Sequence, residues 1–198
     1  MKKRISTLVL AMSALIVCTG SIKAQDVTFG VRGGANLSSM NGDVPKTKYV
    51  FKYHIGATVD VGFTDNFYLI TGLDLQTKGT KSKPKNGTEV KYNPMYLQIP
   101  VHAAYKFDVA PQGRLVVEAG PYVAYGISGK MKGGGEKVNF FGDDRFKRFD
   151  LGLGAGIGYE YSHFVVKGGY DFGLIDISDV KGVKARNHNA YLTVGYRF

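Results

Sequence analysis

Hydrophobic and polar positions alternate with a period of two along most of the chain from residue 27 onward. The clearest run covers residues 149–161. Phe149, Leu151, Leu153, Ala155, Ile157, Tyr159 and Tyr161 fall on one face, and Asp150, Gly152, Gly154, Gly156, Gly158 and Glu160 on the other. A helix of about 3.6 residues per turn would mix these sets, whereas a strand separates them by construction. The same pattern marks residues 27–37, 51–63, 67–77, 95–107, 114–127, 164–174 and 189–198. Eight strands are therefore expected. Their connections alternate between short (64–66, 108–113, 162–163) and long, polar or glycine-rich (38–50, 78–91, 128–147, 175–188). Short turns on one side and long loops on the other predict an all-β, eight-stranded antiparallel up-and-down transmembrane β-barrel, with both termini on the short-turn, periplasmic side.

The two faces differ in a way that favours lipid outside. An eight-stranded barrel has an interior just wide enough for side chains. The polar face supplies small residues and charges of both signs, and the expected lumen network is Arg32, Asp60, Asp74, Lys106, Arg114, Glu118, Glu160, Lys167, Asp171 and Arg197. His54 and His102 fall on the same face and read as packed lumen residues. The opposite face carries Leu, Val, Ile, Tyr and Phe, over strands longer than the roughly 9–11 residues a tilted crossing needs. Phe63, Phe67, Phe107, Tyr159, Tyr161, Phe164 and Phe198 mark the short-turn ends. Phe51, Tyr53, Phe149, Tyr170 and Phe172 mark the long-loop ends, so two aromatic girdles are expected. An exported soluble barrel or sandwich would also alternate, but strands this long are unusual in water.

The first residues carry a different pattern. Lys2, Lys3 and Arg4 precede an apolar stretch over 5–17, and Ala24 offers a cleavage point ahead of Gln25. Residues 1–24 thus read as a signal peptide and 25–198 as one outer-membrane barrel domain. The apolar stretch is too short to span a bilayer, which takes about 20 residues. The single cysteine, Cys18, lies within it. The sequence 15–18 faintly resembles a lipoprotein cleavage box, with bulky Val17 where a small residue is expected, and whether Cys18 is lipidated stays open. Disulfides, thiolate metal sites and cysteine catalysis are excluded from the mature part. Removing Lys2, Lys3, Arg4 and Lys23 from the 26 basic residues lowers the net charge from +10 to +6. That charge is spread along the chain without a basic helix, so no nucleic-acid partner is expected.

Several short motifs carry a family resemblance: Gly33-Gly34-Ala35-Asn36-Leu37-Ser38, Tyr96-Leu97-Gln98-Ile99-Pro100-Val101, Gly120-Pro121-Tyr122 and Asp150-Leu151-Gly152-Leu153-Gly154-Ala155-Gly156. In this order and spacing they resemble the outer-membrane β-barrel family widespread in Bacteroidetes, often called PorT-like. The resemblance covers nearly the whole mature chain. It implies an outer-membrane location and the eight-stranded barrel, and little about activity. The terminal Tyr196-Arg197-Phe198 resembles the signal read by the barrel-assembly machinery, with Tyr196 and Phe198 as its aromatic positions.

Chemistry is thinly marked, and no catalytic, cofactor or metal set is assigned. His163 sits beside Ser162 in a turn. His188 with Ser178 and Asp176 or Asp179 is the best hydrolase constellation, as a lipid A- or phospholipid-modifying barrel would need. Asp143-Asp144 and Asp176–Asp179 read as solvated loop carboxylates or a weak calcium site. Gly133-Gly134-Gly135 reads as a flexible loop tip, since no strand-to-helix turn follows it. Loop cations (Lys78, Lys81, Lys83, Lys85, Lys130, Lys132, Lys137, Lys147 and Arg148) form a cationic rim suited to lipopolysaccharide phosphates or simply to solubility. The expectation is a monomeric barrel in outer-membrane lipid, with a filled lumen and a structural or surface-interaction role. A narrow small-solute channel and a lipid-modifying enzyme are the alternatives.

Overall fold

The computed structural model describes residues 26–44, 46–83, 87–142, 145–180 and 182–198. The expected signal peptide with Cys18, Ala24 and Gln25, and the Asp143-Asp144 pair, lie outside the described residues.

Period-two alternation becomes strand throughout. The strands are β1 (Asp26–Gly42), β2 (Thr47–Lys48), β3 (Val50–Gly62), β4 (Phe67–Thr77), β5 (Thr80–Ser82), β6 (Val90–Ala110), β7 (Gly113–Gly133), β8 (Glu136–Asn139), β9 (Phe149–Tyr161), β10 (Phe164–Gly173) and β11 (Ala185–Arg197). Eight of them (β1, β3, β4, β6, β7, β9, β10, β11) pair antiparallel with their neighbours in that order. The pairing of β1 with β11 closes the ring, from Gly30↔Arg197 to Gly42↔Ala185. Closure leaves the ring without an unpaired strand edge, as a lipid-facing sheet requires.

The expected count of eight strands needs correction: eleven form among the described residues, eight of them in the ring. The other three arise in stretches expected to be loops. Strands β6 and β7 are each 21 residues long and outrun their ring partners. Beyond the rim β5 pairs with β6, β2 with β5 and β8 with β7. The result is a five-stranded wing in the order β2-β5-β6-β7-β8. Two local features build it. Gly79, at φ 145, carries the chain from β4 into β5 in a backbone conformation that side chains avoid. Gly134 and Gly135, at φ 59 and 84, form a two-residue turn between β7 and β8. Positive φ at both central residues matches the twist of a tight hairpin, so the triglycine is a turn and not a flexible tip. Strands β1 and β11 likewise run into the expected 38–50 and 175–188 loops.

The outer face is a continuous exposed apolar belt, including Val31, Leu37, Ile55, Leu73, Val117, Leu153, Ile157, Leu192 and Val194. Phe67, Phe107, Tyr161, Phe164 and Phe198 are exposed at one end, and Phe51, Tyr53, Tyr125, Phe149 and Phe172 at the other. Soluble monomers rarely expose apolar patches beyond a few hundred Å². Buried apolar residues gather instead in two places inside: a small group (Tyr68, Ile70, Ala104, Val116) near the short turns, and a larger one at the long-loop mouth.

Candidate functional site: the filled lumen and its closed mouth

The alternation that turns apolar side chains to the outside aims the polar set into a narrow interior, where they pair in tiers. Near the short turns Lys106 Nζ donates to Asp60 Oδ2 (2.8 Å) and Glu160 Oε1 (2.9 Å), and Arg197 Nη1 lies 2.8 Å from Glu160 Oε2. Lys106 is wholly buried, with its ammonium 4.2 Å from the Tyr68 ring centroid. At mid-height Arg32 Nε donates to Asp74 Oδ1 (2.8 Å), while Glu118 Oε1 takes Lys167 Nζ (2.7 Å) and His102 Nδ1 (3.0 Å). Asp171 is the unusual member. It accepts from Gln98 Nε2 (3.1 Å) and is ion-paired with no cation among the described residues. A Cβ on Gly154 would fall 2.8 Å from His102 Nε2 and 2.9 Å from Asp171 Oδ1, so the glycine leaves these two groups their room. His54 bridges Asn36 Oδ1 (2.7 Å) and Thr193 Oγ1 (2.9 Å).

The structure brings nine of the ten expected lumen residues to the interior and leaves Arg114 at the rim. Arg114 donates to the exposed Asp108 (2.7 Å) and to the Tyr68 hydroxyl (3.0 Å). It adds one pair that the sequence reading missed. Lys78, expected in the cationic rim, is wholly buried; its ammonium lies 3.2 Å from Asp150 Oδ2 and 4.4 Å from the Tyr122 ring centroid. Asn187 Nδ2 also donates to Asp150 (2.9 Å). The signal was present: Lys78 continues the inward series Asp74, Gln76, and Asp150 opens the polar face of 149–161. Lys78 is the next residue after Thr77, one step beyond the alternation read over 67–77.

Above this pair the mouth is closed by apolar side chains. Phe140, Phe141, Ile177, Met40, Tyr96 and Tyr122 are buried together. Phe140 stacks on Phe146 (4.2 Å between centroids, 9° between planes), and Phe141 meets Tyr96 edge-on at 5.5 Å. The Phe141 ring occupies the space a side chain on Gly126 would need. Backbone hydrogen bonds hold the two overlying loops together, Lys147 N–H to Ile177 C=O (2.8 Å) and Asp179 N–H to Arg145 C=O (2.9 Å). Asp176 Oδ1 accepts the N–H groups of Ser178 (3.0 Å) and Ala185 (2.9 Å). Partial burial opposes its ionisation, but these donors with nearby Lys147 and Arg186 hold its carboxyl below the usual range.

That arrangement leaves the hydrolase constellation unassembled. His188 Nδ1 meets the Tyr170 hydroxyl (3.2 Å), and its ring packs on Phe172 (4.5 Å). Ser178 Oγ accepts from Val180 N–H (3.2 Å), and Asp176 caps backbone. No cluster of three metal-ligating side chains occurs among the described residues. His163 stacks on Tyr196 at 5.5 Å, outside at the short-turn rim, where Tyr196 and Phe198 stand exposed with rings 5.7 Å apart. Among the described residues the lumen holds small cavities, two of them of about 40 and 20 Å³. These two have room for a few waters.

An outward apolar belt around a polar, ion-paired interior is a membrane barrel's inside-out pattern, and the comparisons agree. The profile described as outer membrane protein beta-barrel domain matches residues 23–179. The chain belongs to that family. Two solved barrels have the same fold: Ail, the attachment invasion locus protein of Yersinia pestis, and Neisserial surface protein A. Ail is 14% identical with a TM-score of 0.51, covering 87% of this chain and 99% of its own. Neisserial surface protein A is 16% identical with a TM-score of 0.50, also covering 87% and 99%. No curated protein matches the sequence. This family member is an integral β-barrel of the Gram-negative outer membrane.

Proposed function

We propose that this barrel is a sealed surface protein, built to present its long-loop end and not to pass solute or transform lipid. The observation that carries the reading is the double closure of the lumen. Buried Phe140, Phe141 and Ile177 shut the mouth, and tiers of ion pairs fill the bore beneath. Opening a path would mean separating these buried ion pairs, and a charge left buried without its partner costs about 3–5 kcal/mol.

The short turns and both termini face the periplasm, and the wing and long loops face outward. Residues 1–24 direct export and are removed, Tyr196 and Phe198 are read by the assembly machinery, and the inserted barrel is a monomer. The group within the family is the PorT-like one of Bacteroidetes, on the motifs quoted above.

Single-channel recording in planar bilayers tests the function. The expected result is silence with the wild type. Defined conductance steps would replace the sealed reading with the narrow channel. Lipid A analysed by mass spectrometry, with and without expression, should be unchanged, and a new species would favour the enzyme.

A further inference from the structure

The wing presents a row of like charges that the fold itself does not neutralise. Register places Lys48 opposite Lys81, Lys81 opposite Lys91, Lys91 opposite Lys132, and Lys132 opposite Lys137. Residues directly opposite in antiparallel strands point to the same face, with Cβ atoms about 4.5–5.5 Å apart. Five lysines therefore stand in one line across five adjacent strands, spanning roughly 19 Å at about 4.8 Å per strand. Lys130, two residues before Lys132, adds a sixth charge to that face. The neighbouring residues Tyr92 and Met131 pack inward on the apolar mouth, which sets the lysine row on the outer wall. Among the described residues one carboxylate approaches it, Glu89 Oε1, 3.8 Å from Lys91 Nζ, both exposed.

Like charges placed directly opposite destabilise a sheet. Solubility does not call for that placement, since charges anywhere on the surface would serve it. A regular row of cations matches a ligand bearing several anionic groups. Its position selects the source. The outward faces of β6 and β7 run through Leu97 and through Tyr125 and Ile127, all exposed, before reaching the lysines. Lys130 begins three residues beyond Ile127, about 10 Å further along the strand. The row thus borders the lipid-facing wall and looks sideways over the leaflet, not upward from the mouth.

We infer that the lysine row of the wing is a binding surface for phosphorylated glycolipid headgroups of the surrounding outer leaflet. The inference rests on the sealed, outward-facing reading above and names the partner of its wing. Each phosphate would sit between ammonium groups of adjacent strands and remove their mutual repulsion.

The test uses the refolded mature protein in neutral detergent, titrated with diphosphoryl lipid A, with dephosphorylated lipid A and with soluble polyphosphate. The wild type should bind diphosphoryl lipid A, more weakly as salt rises, and the dephosphorylated form poorly. The variant K91Q/K132Q/K137Q should bind roughly 100-fold more weakly, while K91R/K132R/K137R binds as the wild type does. Unboiled gel migration reports whether each variant is folded, and K48Q/K81Q, at the other end of the row, should weaken binding even if the triple variant does not fold. Equal binding by a folded Gln variant overturns the proposal, as does equal binding of the two lipid forms. Polyphosphate binding as tight as lipid A overturns the lipid assignment in favour of a soluble polyanion. Conductance of the same preparation separates the two failures. No binding of diphosphoryl lipid A by the wild type, with a silent bilayer, removes only this inference, whereas an open channel removes the reading beneath it.

Discussion

The bore and the wing are made from the same ladder of antiparallel strands, and they treat charge in opposite ways. In the bore each wholly buried lysine meets a carboxylate: Lys106 between Asp60 and Glu160, Lys78 against Asp150. In the wing lysine faces lysine across five strands, and among the described residues Glu89 is the carboxylate recorded near the row. Solvent accounts for the difference. Inside, an unpaired charge would lack water and cost several kcal/mol, so composition is forced toward balance. Outside, water and salt screen repulsion to a few tenths of a kcal/mol, so charge is free to serve a partner. Internal pairing therefore marks structure, and unneutralised regularity marks contact with something else.

Breaking the bore should give the largest effect. Lys78→Met leaves Asp150 buried with Asn187 as its remaining donor and should cost about 3–5 kcal/mol in denaturant unfolding of the refolded barrel. The double variant K78M/D150N should recover most of that loss, because the penalty comes from the stranded charge and not from the missing bond. A single variant as stable as the wild type would mean the pair is not desolvated as described.

The plug that divides the two regions comes next. Phe140→Ala removes a wholly buried ring stacked on Phe146 and should cost about 3 kcal/mol, by lost transfer energy and a residual cavity. Amide exchange should quicken at Lys147 and Ile177, where the two loops meet, and stay unchanged in the ring strands. Uniform quickening would show that mouth and ring unfold as one unit.

How much of this was legible beforehand differs between the same two regions. The ring was readable because alternation is local: each of Arg32, Asp74, Glu118 and Lys167 declares its face by its immediate neighbours. The plug was not, because Phe140 and Ile177 lie in stretches without alternation. They meet through loop-to-loop contacts some 37 residues apart in sequence. The wing fell between. Its lysines were visible as a cationic rim, but their alignment depends on register, which in turn depends on the Gly79 and Gly134-Gly135 turns. Lys78 was misplaced for the same reason. A lysine beside Gly79 reads as loop until β4 is known to keep its inward parity to the rim.

A smaller effect is expected at the join between plug and barrel. The Asp176 carboxyl is held below its ordinary range by two N–H donors, so its charged form stabilises the fold. That contribution is fully present above the unfolded value near about 3.9 and is lost as pH falls through the lower folded value. Asp176→Asn should therefore lower stability by roughly 0.5 kcal/mol at neutral pH, after allowance for its solvent exposure. The gap to wild type should close below about pH 4. Urea midpoints of both proteins between pH 7 and 3 provide the check, and a gap independent of pH would remove the charge from the account.

The smallest effect carries the most information about the wing. Lys132 stands directly opposite both Lys91 and Lys137, so Lys132→Gln removes two repulsive cross-strand pairs at once. In detergent without anionic lipid, at low ionic strength, the variant should be more stable than the wild type by about 0.2–0.5 kcal/mol. At 1 M salt, where the screening length falls to about 3 Å, the difference should vanish, because the lysines are exposed. Lys78→Met, buried from that salt, should keep its full cost under the same change. If Lys132→Gln instead destabilises the barrel at every salt concentration, the row is held by contacts within the fold and has no unmet charge to offer. If the gain appears in detergent and reverses when diphosphoryl lipid A is added, the repulsion within the row is what the bound phosphates relieve.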